Sequence, residues 1–223
     1  MWTSNGDRLT FTALKGLTQQ LTTQALRNQV APKTLVSSER SLFATAWSPE
    51  DGSLVYVDSP PTDISDIRLL SAQSDWQERK LIPPQTQSPA LSPDGHWLAF
   101  AVLNGPRFQV VVQPIPEGPR QQVTADGGDR VVWSRTGREL FYVADNVMYA
   151  VPIDTTKGLV TGRPVRLFAG PYRFEFPIAG FDVTRDGRRF LMVKAGAEEL
   201  APRRTVVILN WTDELVRRVP ARQ

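Results

Sequence analysis

Short apolar runs of strand length follow one another along the chain, each bounded by turn residues. Leu54-Val55-Tyr56-Val57, Trp97-Leu98-Ala99-Phe100-Ala101-Val102, Leu140-Phe141-Tyr142-Val143 and Arg189-Phe190-Leu191-Met192-Val193 alternate with a period of two and predict strands. A second strand follows in Phe108-Gln109-Val110-Val111-Val112 and in Val147-Met148-Tyr149-Ala150-Val151. A third is shorter and more polar, as in Arg120-Gln121-Gln122-Val123-Thr124.

The runs are entered through a repeated turn. Trp2-Thr3-Ser4-Asn5-Gly6, Trp47-Ser48-Pro49-Glu50-Asp51-Gly52, Leu91-Ser92-Pro93-Asp94-Gly95, Trp133-Ser134-Arg135-Thr136-Gly137 and Val183-Thr184-Arg185-Asp186-Gly187 share an apolar anchor and a polar turn ending in glycine. Successive anchors lie 45, 44, 42 and 50 residues apart. In Ser-Pro-Asp-Gly, proline presets φ, serine and aspartate can bond amides across the turn, and glycine takes the positive φ. With the strand leading into each turn, every unit holds four strands in about 44 residues, the arrangement of a propeller blade. The fold predicted is all-β: a β-propeller of about five four-stranded blades, in one domain spanning residues 1–223. Trp47 and Trp133, at the ends of inner strands, should fill the gaps between blades.

Some regions depart from the repeat. Leu17–Val30 suits strand, loop and strand, although Leu17, Leu21, Ala25 and Val30 also fall near helical spacing; it is read as a degenerate blade. Gly170-Pro171-Tyr172-Arg173-Phe174-Glu175-Phe176-Pro177 is an aromatic insertion, suited either to binding or to covering one end of the core. The tail predicts a strand at Arg204–Trp211 and a short amphipathic helix at Thr212–Arg218, capped by Thr212 or Asp213. Trp2 sits at an anchor with no strand leading into it, and the last unit lacks a fourth strand. The expectation is therefore an open propeller or one truncated at its N-terminus, with raw sheet edges at both ends.

Composition narrows the chemistry. Eighteen prolines and fifteen glycines suit many short strands rather than long helices. The absence of cysteine excludes disulfides, thiolate metal sites and thiol nucleophiles, and the single histidine, His96, excludes a site needing two imidazoles. The formal charge is +3, with 21 of the 26 basic residues arginine. The pairs Arg188-Arg189, Arg203-Arg204 and Arg217-Arg218 are scattered rather than drawn into a stripe, so no nucleic-acid partner is expected. No apolar run reaches the ~20 residues needed to span a bilayer. Met1–Arg8 has neither a basic nor an apolar signal region, so no export signal is expected.

The turn Ser92-Pro93-Asp94-Gly95 followed by Trp97-Leu98-Ala99-Phe100 resembles the TolB-type, WD-like propeller repeat. Trp133–Tyr142, Phe181–Lys194 and Val207–Leu215 are similar to the C-terminal propellers of bacterial eukaryote-like serine/threonine protein kinases. The resemblance runs from about Trp47 to Pro220. It implies a sensing or protein-interaction module, in the bacterial cytoplasm or outside it on a membrane-bound parent, with a kinase domain in related full-length proteins. The chain itself has no kinase Gly-rich loop, His-Arg-Asp or Asp-Phe-Gly motif, so phosphoryl transfer is assigned to none of its residues.

The expected function is non-catalytic binding of a protein or ligand, with no catalytic, cofactor or metal residue assigned. The alternative is a propeller enzyme of glycoside hydrolase or lactonase type, with carboxylates at the tunnel mouth. Its candidates are Asp51, Asp94, Asp126, Asp129, Asp182 and Asp186. Asp51, Asp94 and Asp186 occupy equivalent turn positions and have a turn-forming explanation. Asp126-Gly127-Gly128-Asp129 is the best candidate for a functional loop, although plain loop chemistry also accounts for it. A peptidase is excluded, because no Gly-x-Ser-x-Gly elbow occurs and His96 follows a turn glycine at an exposed place.

Overall fold

The computed structural model describes residues 1–196 apart from 4, 28–29, 61–64, 72–75, 83–84, 116 and 175–176. The strand and helix expected within 204–218 lie outside the described residues, as do Ser4, Glu175 and Phe176.

Among the described residues, five antiparallel sheets follow one another in chain order. The first holds β1 (Arg8–Lys15), β2 (Thr18–Ala25) and β3 (Lys33–Ser38). The second holds β4 (Ser41–Trp47), β5 (Leu54–Ser59), β6 (Asp66–Ser71) and β7 (Gln77–Ile82). The third holds β8 (Thr86–Leu91), β9 (Trp97–Asn104), β10 (Arg107–Pro114) and β11 (Gln121–Gln122). The fourth holds β12 (Asp129–Trp133), β13 (Glu139–Ala144), β14 (Val147–Asp154), β15 (Val160–Thr161) and β16 (Val165–Ala169). The fifth holds β17 (Tyr172–Arg173), β18 (Phe181–Val183) and β19 (Phe190–Lys194).

Period-two alternation sends the side chains of each middle sheet to opposite neighbours. Leu54 and Tyr56 pack with Leu21 of the first sheet, whereas Val55 packs with Leu98 and Phe100 of the third. Ala99, Val110 and Val112 meet Leu140, Tyr142 and Val151 of the fourth. Phe141 and Val143 face Val183 and Phe190 of the fifth. Four apolar layers thus separate five sheets in chain order, with the inner strands β4, β8 and β12 side by side. This is a five-bladed propeller.

The strand count is less uniform than four per blade. In the first sheet Trp2 makes only a single bridge to Leu9 where an inner strand would lie. In the fourth, the outermost strand is split: β15 pairs with Ile153 and Asp154 of β14, and β16 with Val147–Ala150 of the same strand. In the fifth, Tyr172 and Arg173, from before the inner strand, pair with Lys194 and Val193 of β19. Leu17–Val30 is strand rather than helix over Thr18–Ala25, because Leu21 must meet Leu42 and Leu54 across the first gap.

The anchor tryptophans lie as predicted. Trp133 is 4% exposed and its indole N–H donates to the Ala90 carbonyl of the preceding sheet at 3.1 Å. Trp47 donates likewise to Thr10 Oγ1 at 3.1 Å. A buried indole needs such a partner.

Candidate functional site

The turns repeat one hydrogen-bond scheme. Ser92 N donates to Trp97 O at 2.8 Å, Gly95 N to Ser92 O at 2.9 Å, and Trp97 N to Ser92 Oγ at 2.9 Å. Ser134 with Glu139, Thr184 with Arg189, and Thr3 with Arg8 reproduce all three bonds. Asp94 Oδ1 accepts from His96 N at 3.1 Å, and Asp186 Oδ1 from Arg188 N at 3.1 Å. Hydrogen bonds from the Thr184 side chain and the Arg188 amide hold the Asp186 carboxyl below its ordinary pKa. Burial alone would raise Asp51, but hydrogen bonds from Ser53 and Ser48 outweigh it and lower its pKa. These three acids are turn-forming residues, as their repetition predicts. His96 is exposed, with Nδ1 3.4 Å from Glu50.

A second scheme, absent from the sequence reading, operates at the inner strands. Three residues before the anchors Leu91, Trp133 and Val183 stand Ser88, Arg130 and Gly180, with φ of 52°, 55° and 72°. The pairing register slips at the same places, between Gln87 and Ala90 and between Asp129 and Val132. Such bulges bend a strand and re-aim its side chains, and left-handed non-glycine residues concentrate at functional sites. Gln87 and Asp129, each just before a left-handed residue, are equivalent in successive blades. Gln87 Nε2 donates to Asp129 Oδ2 at 3.1 Å.

Loop residues of the fifth sheet reach this region. Ser88 N donates to Pro177 O at 2.7 Å, and Arg130 Nη1 to Ile178 O at 3.4 Å. Phe174 of the same insertion packs edge-on against Phe181 at 6.3 Å, within the apolar layer of the fourth and fifth sheets. The described part of the insertion therefore covers core rather than presenting aromatics to solvent.

Asp126–Asp129 lies at the end of the propeller opposite the repeat turns. It forms one wall of a cleft of about 150 Å3, completed by Arg107, Phe108, Val143, Ala144 and Asp145. Gln109, 7% exposed, pins the loop: its Oε1 accepts from Thr124 Oγ1 at 2.8 Å and from Gly127 N at 3.2 Å. Gly128 N donates to Phe108 O at 2.8 Å. A Cβ at Gly128 would come within 2.8 Å of the Tyr142 ring, so only glycine lets the loop lie on that ring. Burial pushes the Tyr142 hydroxyl up to about 12. Arg107 Nη1 lies 3.1 Å from the Asp126 carbonyl and 3.2 Å from Asp145 Oδ2. Burial raises the Asp129 pKa, and Arg130 with Gln87 only partly offsets it. Asp182 stands apart, accepting from its neighbour Val183 N at 2.8 Å and lying 3.4 Å from Arg135.

Two further polar places stand out among the described residues. A groove of about 600 Å3 runs along the turn end between the third and fourth sheets, past Asp94, Trp133, Arg138 and Asp154. Hydrogen bonds from the Thr156 backbone and hydroxyl lower the Asp154 pKa. In the second sheet, Asp58 and Asp66 are buried among bases. Arg40 lies 2.8 Å and Arg68 3.1 Å from Asp58, and Lys80 lies 2.7 Å from Asp66. Burial pushes the Asp58 carboxyl up, against the pull of Arg68 and Arg40. Among the described residues, no three acidic or histidine side chains gather as a metal site, and no helix is long and apolar enough to cross a membrane.

No protein-family model and no curated protein matches the sequence. Solved structures do. TolB from Acinetobacter baumannii superposes with a TM-score of 0.64 at 18% identity, over 86% of this chain and 48% of that one. A putative TolB from Agrobacterium tumefaciens gives 0.60 at 16% identity, over 76% and 64%. An oligogalacturonate lyase in complex with manganese gives 0.63 at 12% identity, over 86% and 60%. The chain thus spans between 48% and 64% of the length of these structures. The chain has the TolB-like β-propeller fold.

Proposed function

We propose that the chain is a non-catalytic binding module that offers the propeller end opposite its repeat turns to a protein partner. The observation that supports this most is how the carboxylates are used. Asp51, Asp94 and Asp186 close turns, Asp182 is held beside Arg135, and Asp129 accepts from Gln87. The kinase link implied by the resemblance belongs to the same proposal: the module senses or docks a partner for a kinase domain carried by a longer parent chain. Intact-mass measurement of the native product tests that link. A longer chain with a kinase domain is expected; a product of this length, with no kinase co-purifying, overturns it.

The binding reading is tested by displaying a random peptide library against the full chain and titrating the selected peptides by calorimetry. Saturable one-site binding is expected. Failure to enrich any peptide, together with turnover of a polyuronate, glycoside or lactone, would overturn it. The enzyme reading has one observation in its favour, the groove of about 600 Å3, which falls in the size range of small-molecule sites. Asp94 and Asp154 on that groove are both hydrogen-bonded to residues of their own turns.

A further inference from the structure

We infer that the cleft between the third and fourth sheets receives one basic side chain of the partner, with its cation on Asp129. The inference rests on the binding-module reading and specifies its chemistry. At about 150 Å3 the cleft is well below the ~300–1,000 Å3 of pockets that hold sugars or nucleotides, and suits a single extended side chain. Its walls are Phe108, Val143 and Ala144, which suit an alkyl stem. Long basic side chains pack their methylenes on such surfaces while the charged head finds a polar end.

The hydrogen-bond inventory favours a cation over an anion. An anion needs free donors, and the two glycine amides of the loop are engaged. Gly127 N is bound by Gln109 and Gly128 N by the Phe108 carbonyl, while Arg107 Nη1 is turned to Asp145 and the Asp126 carbonyl. The acceptor side is incomplete. Asp129 Oδ2 takes the Gln87 amide at 3.1 Å and has Arg130 Nε at 3.7 Å, while Oδ1 accepts no hydrogen bond among the described residues. The Asp129 side chain keeps 28% of its surface open, so an incoming group can reach it. Around the cleft, Asp126, Asp129 and Asp145 outnumber Arg107 and Arg130, leaving an excess of negative charge. A charge-assisted hydrogen bond from an ammonium or guanidinium would complete the half-desolvated carboxylate.

The test is a 15N-HSQC titration of the full chain with N-acetyl-lysine amide, read at the Gly127 and Gly128 amides. Saturable shifts are expected, with a dissociation constant on the order of millimolar for so small a probe. N-acetyl-norleucine amide has the same stem without the charge and should give no saturable shift. Asp129→Asn should weaken lysine binding at least tenfold, with the Gly95 and Gly137 amides unmoved as a check on folding. Acidifying the wild-type protein to pH 4, which needs no variant, should weaken it too. Absence of saturable shifts, equal binding of norleucine, or unchanged binding by Asp129→Asn would each overturn the inference. Library peptides that bind with no dependence on Asp129 would leave the module reading standing and remove only this one. If no peptide is enriched and a polyuronate, glycoside or lactone is turned over, it is the module reading that falls.

Discussion

Gln87 on β8 and Asp129 at the start of β12 are joined side chain to side chain at 3.1 Å, across the boundary between successive blades. Gln87 is 2% exposed, so its amide is committed to this contact. Gln87→Met keeps the volume and removes the donor to a charged acceptor. The expected loss is about 1.5–3 kcal/mol of unfolding free energy. Urea denaturation at pH 7 measures it, and a loss within 0.5 kcal/mol, the range of ordinary surface changes, would mean the bond is idle.

Asp129 also sets a pH dependence. Its carboxyl titrates above the ordinary value because burial disfavours the anion. The folded state therefore holds the proton more tightly than the unfolded chain. That contribution is complete below the unfolded pKa of about 3.9 and is lost as pH rises through the folded pKa. The stability of the wild type minus that of Asp129→Asn should fall as pH rises from about 4 and level off once the folded carboxyl is ionised. Denaturation curves across that range check the sign; a difference that rises with pH would show an ion pair stronger than its desolvation.

Trp133 and Trp2 occupy equivalent anchors but are 4% and 57% exposed. Trp133→Ala opens a cavity and leaves the Ala90 carbonyl without its donor, so about 3–5 kcal/mol should be lost. Trp2→Ala should change stability by less than about 0.5 kcal/mol. Equal effects would contradict the packing of the fourth sheet on the third.

Gly95 and Gly16 separate strain from contact. Both have positive φ, +83° and +64°, which costs an L residue roughly 1–2 kcal/mol. A Cβ at Gly95 would also lie 3.2 Å from Ser48 Oγ and 3.3 Å from Pro49 of the neighbouring blade, whereas Gly16 has nothing within 4 Å. Thermal unfolding should show Gly95→Ala to be the more damaging of the two. The reverse order would mean that successive repeat turns do not touch.

Asp58 is the keystone of the buried ion cluster. Asp58→Ala leaves Arg40 and Arg68 facing each other with less compensation, and about 3–5 kcal/mol should be lost. Calorimetric unfolding gives the value. A loss below 1 kcal/mol would show that Asp66, which pairs with both arginines, and Glu78, which pairs with Arg68, neutralise them unaided.

How much of this could be read from the chain depends on range. The turns were legible because Ser92, Asp94 and Gly95 settle their hydrogen bonds within six residues. The blades were legible because Leu54 and Val55 must bury opposite faces. The pairing of Gln87 with Asp129 was not, because it joins residues 42 apart through bulges that no turn residue announces. Ser88 and Arg130 have no composition signature for left-handed backbone; only their common offset of three from the anchors could have flagged them. The makeup of the fifth sheet was missed because Tyr172 and Arg173 join it from ahead of its inner strand. Asp126–Asp129 stands out in the sequence as a candidate functional loop leading into an inner strand, but its place as a cleft wall depends on Phe108 and Val143 from two other strands.

The order of the sheets around the axis underlies every placement above, including that of the cleft. Nuclear Overhauser contacts from the buried indole N–H protons of Trp133 and Trp47 test it most directly. Trp133 should show contacts to Ala90 and Trp47 to Thr10, each on the preceding sheet. Contacts from Trp133 to the first or fifth sheet, or only to its own, would contradict the propeller order.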